Sequence, residues 1–231
     1  MSTDTSIVAR RSFLTHLGAG VTVAGTALVS GTSLANAQSA SGSFSPARHA
    51  QDDWMDTLPG KHRLVFDSTT PAGIGAAIGY ANNFLIASKD YGLNDQDGAV
   101  IIVARHFSTP FAYNDAMWAK YGKAMPPPAT LDDPRTKQRA TVNMYGVASY
   151  TDGANLGTTL DTVLKKGVHF AVCQMATRFF AGMLAQAVGG TADSVYAELT
   201  SNLVGNAHMV SAGILAVNRA QEHGFTLATA I

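Results

Sequence analysis

The feature that most constrains the fold of this chain is a series of short apolar runs separated by longer helix-like segments. The clearest runs are "HRLVFDSTT" at 62–70, "GAVIIVARH" at 98–106 and "VHFAVC" at 168–173, and "FTLATA" closes the chain. Strands that are apolar throughout are typical of a parallel sheet covered by helices on both faces. The alternation therefore predicts an α/β protein with a parallel sheet in a three-layer α/β/α arrangement of flavodoxin- or Rossmann-like topology.

Capping residues and glycines indicate where the helices between these runs begin and end. Thr70 followed by Pro71 is a favourable helix start, and we expect that helix to stop near Gly92. The last helix is expected to run from Asn206, as its cap, to Gly224. Four further helices are predicted in "FAYNDAMWAKYG", "TTLDTVLKKG", "QMATRFFAGMLAQAVGG" and "TADSVYAELTSNLVG".

The N-terminal sequence has the features of an export signal. A pair of arginines at Arg10-Arg11 is followed by Phe-Leu, then by a mildly apolar run that ends in "ANA" at Ala37. This pattern predicts a twin-arginine signal peptide over 1–37 and a periplasmic or other extracytoplasmic location. The run lacks the roughly 20 strongly apolar residues that a membrane anchor needs, so no stable anchor is expected.

The rest of the chain divides into a leader and one domain. Small and polar residues predict a flexible leader over 38–58, and the α/β domain is expected over 59–231. Within the domain, 123–157 is a Pro-rich insertion in which "RATVNMYGV" could form a further strand. A connection of this length is usually a functional lid, an interface arm or a disordered segment.

Composition and missing motifs exclude several classes of function. Lys plus Arg and Asp plus Glu both number 16, so no basic field indicates a nucleic-acid partner. The sequence contains no P-loop, no G-x-S-x-G and no G-x-G-x-x-G after a strand, which argues against a nucleotide enzyme or a serine hydrolase. A single cysteine excludes an intramolecular disulfide.

Chemically capable residues follow three of the predicted strands. Asp67 lies at the end of the first strand, Arg105 and His106 follow the second, and Cys173 ends "VHFAVC". Ligands of open parallel sheets bind beyond the carboxyl ends of the strands. We therefore expect Cys173 and His106 to carry chemistry there, with Asp67 and Arg105 binding the ligand.

Cys173 is the strongest of these candidates because a helix is predicted to begin directly after it. Unpaired N–H groups and the helix dipole stabilise a thiolate at such a position. Arg178 could add positive potential, and His106 could act as an acid or base beside the thiol. The alternative interpretation is that Cys173 is a small apolar side chain in the core.

A metal or haem site is a second possibility. Cys173, His106 and His208, which is expected at the start of the last helix, could converge as ligands or contacts. No two of these residues have the local spacing of a metal motif. The sequence therefore predicts no cofactor, with a metal or haem kept as the alternative.

Three segments resemble the DsrE/DsrF-like family of sulfur-relay proteins. They are "LDTVLKKGVHFAVCQMATRFFAG", "HRLVFDSTTPAGIGAAIGYANNFL" and "VSAGILAVNRAQEHGFTLA", within about residues 60–110 and 157–230. The resemblance implies a DsrE-like α/β fold assembled into trimers or hexamers, a persulfide on Cys173, and a protein that donates or accepts sulfur. The insertion at 123–157 and "RHFSTPFAYNDAMW" are not part of the family pattern, and the family's sulfur carriers mostly work in the cytoplasm.

Three functions follow from these features. The first is an exported sulfur-handling or thiol-redox protein with Cys173 as nucleophile or persulfide carrier. The second is a non-catalytic module that binds a small ligand, a metal or haem. The third is a structural assembly subunit with Cys173 in its core. The sequence does not decide whether the protein is an enzyme.

Overall fold

The computed structural model describes residues 44–150 and 153–231, and the predicted signal peptide lies outside them. At its centre is a five-stranded, wholly parallel sheet in the order β6-β5-β2-β1-β7. The strands of this sheet are β1 (His62–Ser68), β2 (Gly98–Ala104), β5 (His169–Cys173), β6 (Ala207–Val210) and β7 (Thr226–Ala230). A two-stranded antiparallel ribbon is formed by β3 (Asp132–Asp133) and β4 (Gln138–Arg139).

The described helices lie on both faces of the sheet. They are α1 (Asp53–Thr57), α2 (Pro71–Ala87), α3 (Asp115–Tyr121), α4 (Leu160–Lys165), α5 (Gln174–Val188), α6 (Ala192–Ser201) and α7 (Gly213–Glu222). None of these helices combines the length and the apolar character that crossing a bilayer requires.

The side chains of β2 show why this strand is apolar throughout. Val100, Ile102 and Ala104 pack into one buried cluster with residues of α2, α3, α5 and α6. The alternate side chains of β2 pack into a second cluster with α1 and α7 on the opposite face. Successive residues of a strand point to opposite faces, so both faces of β2 are buried and the predicted three-layer α/β/α fold is confirmed.

Threonine side chains cap three of the helices. Thr70 Oγ1 accepts a hydrogen bond of 2.9 Å from the Gly73 N–H, and Pro71 is the first helical residue of α2. Thr159 and Thr191 cap α4 and α6 in the same way. After α2 a short 3₁₀ turn ends at Gly92, whose φ of +74° is a conformation that glycine adopts without strain.

The predicted start of the last helix at Asn206 is wrong. Residues 207–210 form the edge strand β6, paired in parallel with β5, and α7 begins only at Gly213. Asn206 has a φ of +54° and donates from Nδ2 to the carbonyl oxygens of Leu164 (3.0 Å) and Val168 (3.3 Å). Its side chain therefore fixes the entry to β6, because its hydrogen bonds go to the end of α4 and to the residue before the neighbouring strand β5.

The strand suggested for "RATVNMYGV" is also wrong: among these residues only Arg139 belongs to a strand, the short β4. Side-chain hydrogen bonds hold the segment in place. Asn143 Nδ2 donates to the Phe111 carbonyl at 2.8 Å, and Tyr145 Oη donates to the Pro71 carbonyl at 2.6 Å. These contacts tie the insertion to the core, so no ladder of backbone bonds is needed.

The structure differs from the predicted flexible leader over its second half. Ala50–Asp52 is a 3₁₀ turn that leads into α1, and Met55 is 0% exposed. Arg219 of α7 binds this segment, with its Nε 2.6 Å from Asp52 Oδ2 and its Nη2 2.6 Å from the Ala47 carbonyl oxygen. Apolar burial and a shared arginine therefore hold 46–58 on the face that α7 covers.

Candidate functional site

A pocket of about 390 Å³ lies at the carboxyl ends of β2, β5 and β6, and we call it the thiol pocket. Its polar and reactive lining residues are Arg105, His106 and Cys173. The remaining lining residues are apolar or small: Phe107, Met175, Ala176, Phe179, Phe180, Ala212, Gly213 and Ile214. Three of the sequence-predicted site residues thus meet at the edge of the sheet where ligands were expected.

Cys173 occupies the junction between β5 and α5. It is the last residue of the strand and the N-cap of the helix, and its Sγ accepts a hydrogen bond of 3.4 Å from the Ala176 N–H. The Cys173 carbonyl accepts a bond of 3.0 Å from Thr177 Oγ1, which in turn accepts from Tyr113 Oη at 3.1 Å. The sulfur is therefore held at the positive end of a 15-residue helix.

The residues around Cys173 differ sharply in exposure. Cys173 is only 7% exposed, whereas Met175, Phe179 and Ile214 are 67%, 54% and 61% exposed. The thiol therefore lies at the floor of the pocket, and these three side chains, the apolar rim, surround its mouth. A reactant must pass the rim to reach the sulfur.

Arg105 and Asp67 form a bidentate ion pair beside the pocket. Arg105 Nε lies 2.7 Å from Asp67 Oδ1 and Nη2 lies 2.8 Å from Oδ2. The bond to Asp67 raises the pKa of Arg105. Because Asp67 balances the guanidinium charge, the pair adds no net positive charge to the pocket. Asp67 thus acts through Arg105 and is not itself a lining residue.

His106 lies at the mouth of the pocket in an unusual backbone conformation. Its φ is +55°, its side chain is exposed, and its ring packs edge-on against Phe107 with centroids 4.0 Å apart. Left-handed backbone at a histidine costs free energy and needs surrounding support. Ser108 supplies that support, because its Oγ accepts from the Arg105 N–H at 2.9 Å and donates to the Ser68 carbonyl at 2.8 Å.

Two other predicted ligand residues lie elsewhere, and the first is Arg178. It does not line the thiol pocket. Its guanidinium carbon lies 4.3 Å from the ring centroid of Tyr196 on α6, in a cation–π contact. Arg178 therefore links α5 to α6.

The second is His208, which is part of a separate group with Trp54 and His169, the histidine stack. The rings of Trp54 and His208 are nearly parallel, with centroids 3.9 Å apart, and His208 Nε2 lies 3.0 Å from His169 Nδ1. Burial lowers the pKa of His169 to about 4 and also lowers that of His208. Both imidazoles are therefore neutral at neutral pH and bonded to each other.

Cys173, His106 and His208 do not converge on one metal site, because His208 is absent from the lining of the thiol pocket. Within residues 44–150 and 153–231, no three side chains of His, Cys, Asp or Glu gather as metal ligands would. Cys173 and His106 share a pocket, but the residues described around them are mainly apolar. The pocket thus contains a thiol and an imidazole surrounded by mainly apolar side chains.

Sequence reasoning missed the apolar rim and Gly213. The rim residues on α5, Met175 and Phe179, are four positions apart, within a segment for which the sequence predicts only a helix. A Cβ on Gly213 would lie 2.4 Å from Cβ of Arg105, so only glycine lets α7 begin against that arginine. The small pair Ala212-Gly213 was the available signal for this close approach.

Comparison with known proteins places the chain in no family: no protein-family model matches it, and no curated protein matches it. The local sequence resemblance described above is therefore the basis for any family assignment.

Proposed function

We propose that this protein is an exported DsrE/DsrF-like sulfur-handling protein in which Cys173 carries sulfur as a persulfide. The observation that supports this most is the position of the thiol: Cys173 caps α5 through its sulfur and lines a pocket of small-molecule size. A structural core cysteine needs neither a helix N-terminus nor a pocket. In broader terms, the proposal is that Cys173 takes part in thiol-redox chemistry.

The expected chemistry uses the thiolate as a nucleophile. The Ala176 N–H and the dipole of α5 stabilise negative charge on Sγ. The thiolate attacks the outer sulfur of a donor, the donor's S–S bond breaks, and the leaving group takes its electron pair. His106 lines the same pocket and can supply the proton that the leaving group requires. A sulfur acceptor then removes the outer sulfur.

Assembly into a homo-oligomer is part of the proposal, as a trimer or a hexamer. The apolar rim and the adjacent Leu215, which is 48% exposed, present large apolar side chains on one side of the molecule. Exposed apolar groups of this size are common at subunit interfaces. We also propose, from the predicted twin-arginine signal, that the folded protein is exported to the periplasm or another extracytoplasmic compartment.

The second candidate is a non-catalytic module that binds a small ligand, a metal or haem in the thiol pocket. It is favoured by the low exposure of Cys173 and by the apolar lining, since both suit a ligand that is held without reaction. In that case Cys173 would be one contact among several.

Intact mass spectrometry separates these functions. The protein from Gln38 onward is exposed in separate samples to inorganic polysulfide and to an apolar organic persulfide, benzyl persulfide, with Cys173→Ser as the control. We expect the native protein to gain whole sulfur atoms from at least one donor and the serine variant to gain none. If the native thiol stays unmodified by both donors but reacts fully in denaturant, Cys173 is a buried core residue and the carrier function is wrong.

A further inference from the structure

We propose, building on the carrier function above, that the donor which loads Cys173 is a small organic persulfide with an uncharged, apolar substituent. Inorganic anions such as thiosulfate and highly charged organic persulfides are then poor donors. Three independent properties of the thiol pocket lead to this substrate class: its lining, its charge and the depth of the thiol.

The lining of the pocket favours a donor with an apolar substituent. Phe107, Phe179 and Phe180 supply aromatic surface, and Met175 and Ile214 supply aliphatic surface. The volume of about 390 Å³ falls in the usual range for small-molecule sites. Each methylene that a donor buries against such walls contributes about 0.8 kcal/mol, so an apolar substituent binds in proportion to its size.

The charge of the pocket disfavours anions. Arg105 and His106 are the basic residues among the described lining, and no lysine is present there. The guanidinium of Arg105 is held by both oxygens of Asp67. A dianion would therefore give up its hydration among apolar side chains, and the positive end of α5 that it meets there already faces the Cys173 sulfur, so its binding is unfavourable.

The depth of the thiol favours a small molecule over a protein donor. Cys173 is 7% exposed and lies behind the rim formed by Met175, Phe179 and Ile214. The cysteine of a folded protein would have to extend past these side chains to reach Sγ. A small persulfide enters with its sulfur end foremost and leaves its substituent against the rim.

The transfer balances without an external oxidant or reductant. For a donor R–S–SH, the electron pair of the Cys173 thiolate forms a new S–S bond to the outer sulfur. The bond between that sulfur and R–S breaks, and R–S⁻ leaves with the electron pair. The proton on the outer sulfur stays there, so the products are Cys173–S–SH and R–S⁻, which is then protonated by His106 or water.

The test compares three donors: benzyl persulfide, glutathione persulfide and thiosulfate. Sulfur gain is followed by intact mass on the native protein and on a peptide of residues 168–178, which contains the same cysteine without the pocket. Dividing each protein rate by the peptide rate removes the intrinsic reactivity of the donor. We expect this ratio to be about tenfold or more higher for benzyl persulfide than for either charged donor, equivalent to burying about two methylenes.

Two matched variants link the preference to the rim. Phe179→Asp places a charge at the mouth of the pocket, and Met183→Asp places the same charge one turn further along α5, at a residue that is 40% exposed and does not line the pocket. Both positions are exposed, so both variants should fold. We expect Phe179→Asp to abolish the preference for benzyl persulfide and Met183→Asp to retain it.

The possible failures are distinguishable. Equal ratios for all donors, a higher ratio for a charged donor, or an equal effect of both aspartates would overturn the apolar-donor proposal and leave the carrier function standing. If the native protein accepts sulfur from none of the donors while the peptide does, the carrier function itself is wrong.

Discussion

The thiol pocket and the histidine stack contain similar types of side chain but differ in the segments that cover them. In each region a histidine in or directly after a strand of the parallel sheet packs against an aromatic ring. His106 contacts Phe107 in the pocket, and His208 lies beneath Trp54 in the stack. The pocket is surrounded by exposed side chains, whereas the segment over the stack includes Met55 at 0% exposure. The pocket has an open mouth, whereas the rings of the stack are half-buried beneath the covering segment.

The difference teaches that the covering segment, more than the residue type, decides whether a histidine is available for chemistry. Residues 46–58 bring Trp54 over His208, and an ion pair from Arg219 and a hydrogen bond from His223 hold that segment in place. No described segment covers the apolar rim in a comparable way. The predictions below compare the two regions by changing matched residues in each.

The largest expected effect compares two methionines. Met55→Ala should lower the free energy of unfolding by about 3 kcal/mol, because it leaves a cavity beneath the covering segment. Met175→Ala, at the open rim, should change it by less than about 0.5 kcal/mol. Urea unfolding followed by circular dichroism measures both. Equal losses would show that the two regions are equally packed.

A slightly smaller effect is expected from the ion pair beside the pocket. Asp67→Ala leaves the guanidinium of Arg105 largely buried and unpaired, which should cost about 2–3 kcal/mol of unfolding free energy. The control is Asp161→Ala, which breaks the exposed pair with Lys165 and should cost less than about 0.5 kcal/mol. A loss below about 1 kcal/mol for Asp67→Ala would mean that water already solvates Arg105, so its charge would be available to anions.

The histidine stack should make stability depend on pH. The pKa of His169 is about 4 in the folded protein and about 6.5 when unfolded, and that of His208 is also lowered on folding. The unfolded chain therefore binds more protons as the pH falls from about 6.5 towards 4, and stability falls with it. Because both rings are only half-buried, we expect a loss of about 1–2 kcal/mol, measured by urea unfolding at each pH.

The double variant His169→Gln, His208→Gln isolates this contribution. It should be less stable at neutral pH but should show a shallower decline between pH 6.5 and 4. An unchanged slope would assign the pH dependence to groups outside the histidine stack.

The smallest expected effect concerns Cys173 itself. Serine is a preferred N-cap, so Cys173→Ser should retain the bond from the Ala176 N–H and change stability by less than about 1 kcal/mol. Thermal unfolding of the two proteins checks this. A loss of more than about 2 kcal/mol would indicate that Cys173 serves mainly as core packing.

Much of the architecture follows from local sequence. The apolar run at 98–106 predicts a doubly covered strand because each of its faces needs an apolar partner, and Thr70-Pro71 predicts the start of α2 because the cap and the fixed φ act within one turn. The same reasoning placed Cys173, Arg105 and His106 at one edge, since parallel strands end together. It failed at 206–210, where a four-residue edge strand has too few residues to show a period.

The sequence by itself determined four of the five parallel strands, the three-layer fold and the strand-to-helix position of Cys173, because these follow from the apolar pattern and from interactions within a few residues. Only the tertiary structure decided that Asp67 balances Arg105, that Arg178 turns to Tyr196, and that His208 lies under Trp54 away from the thiol. These outcomes depend on contacts between residues 18 to 154 positions apart, and the packing of separate elements brings such residues together.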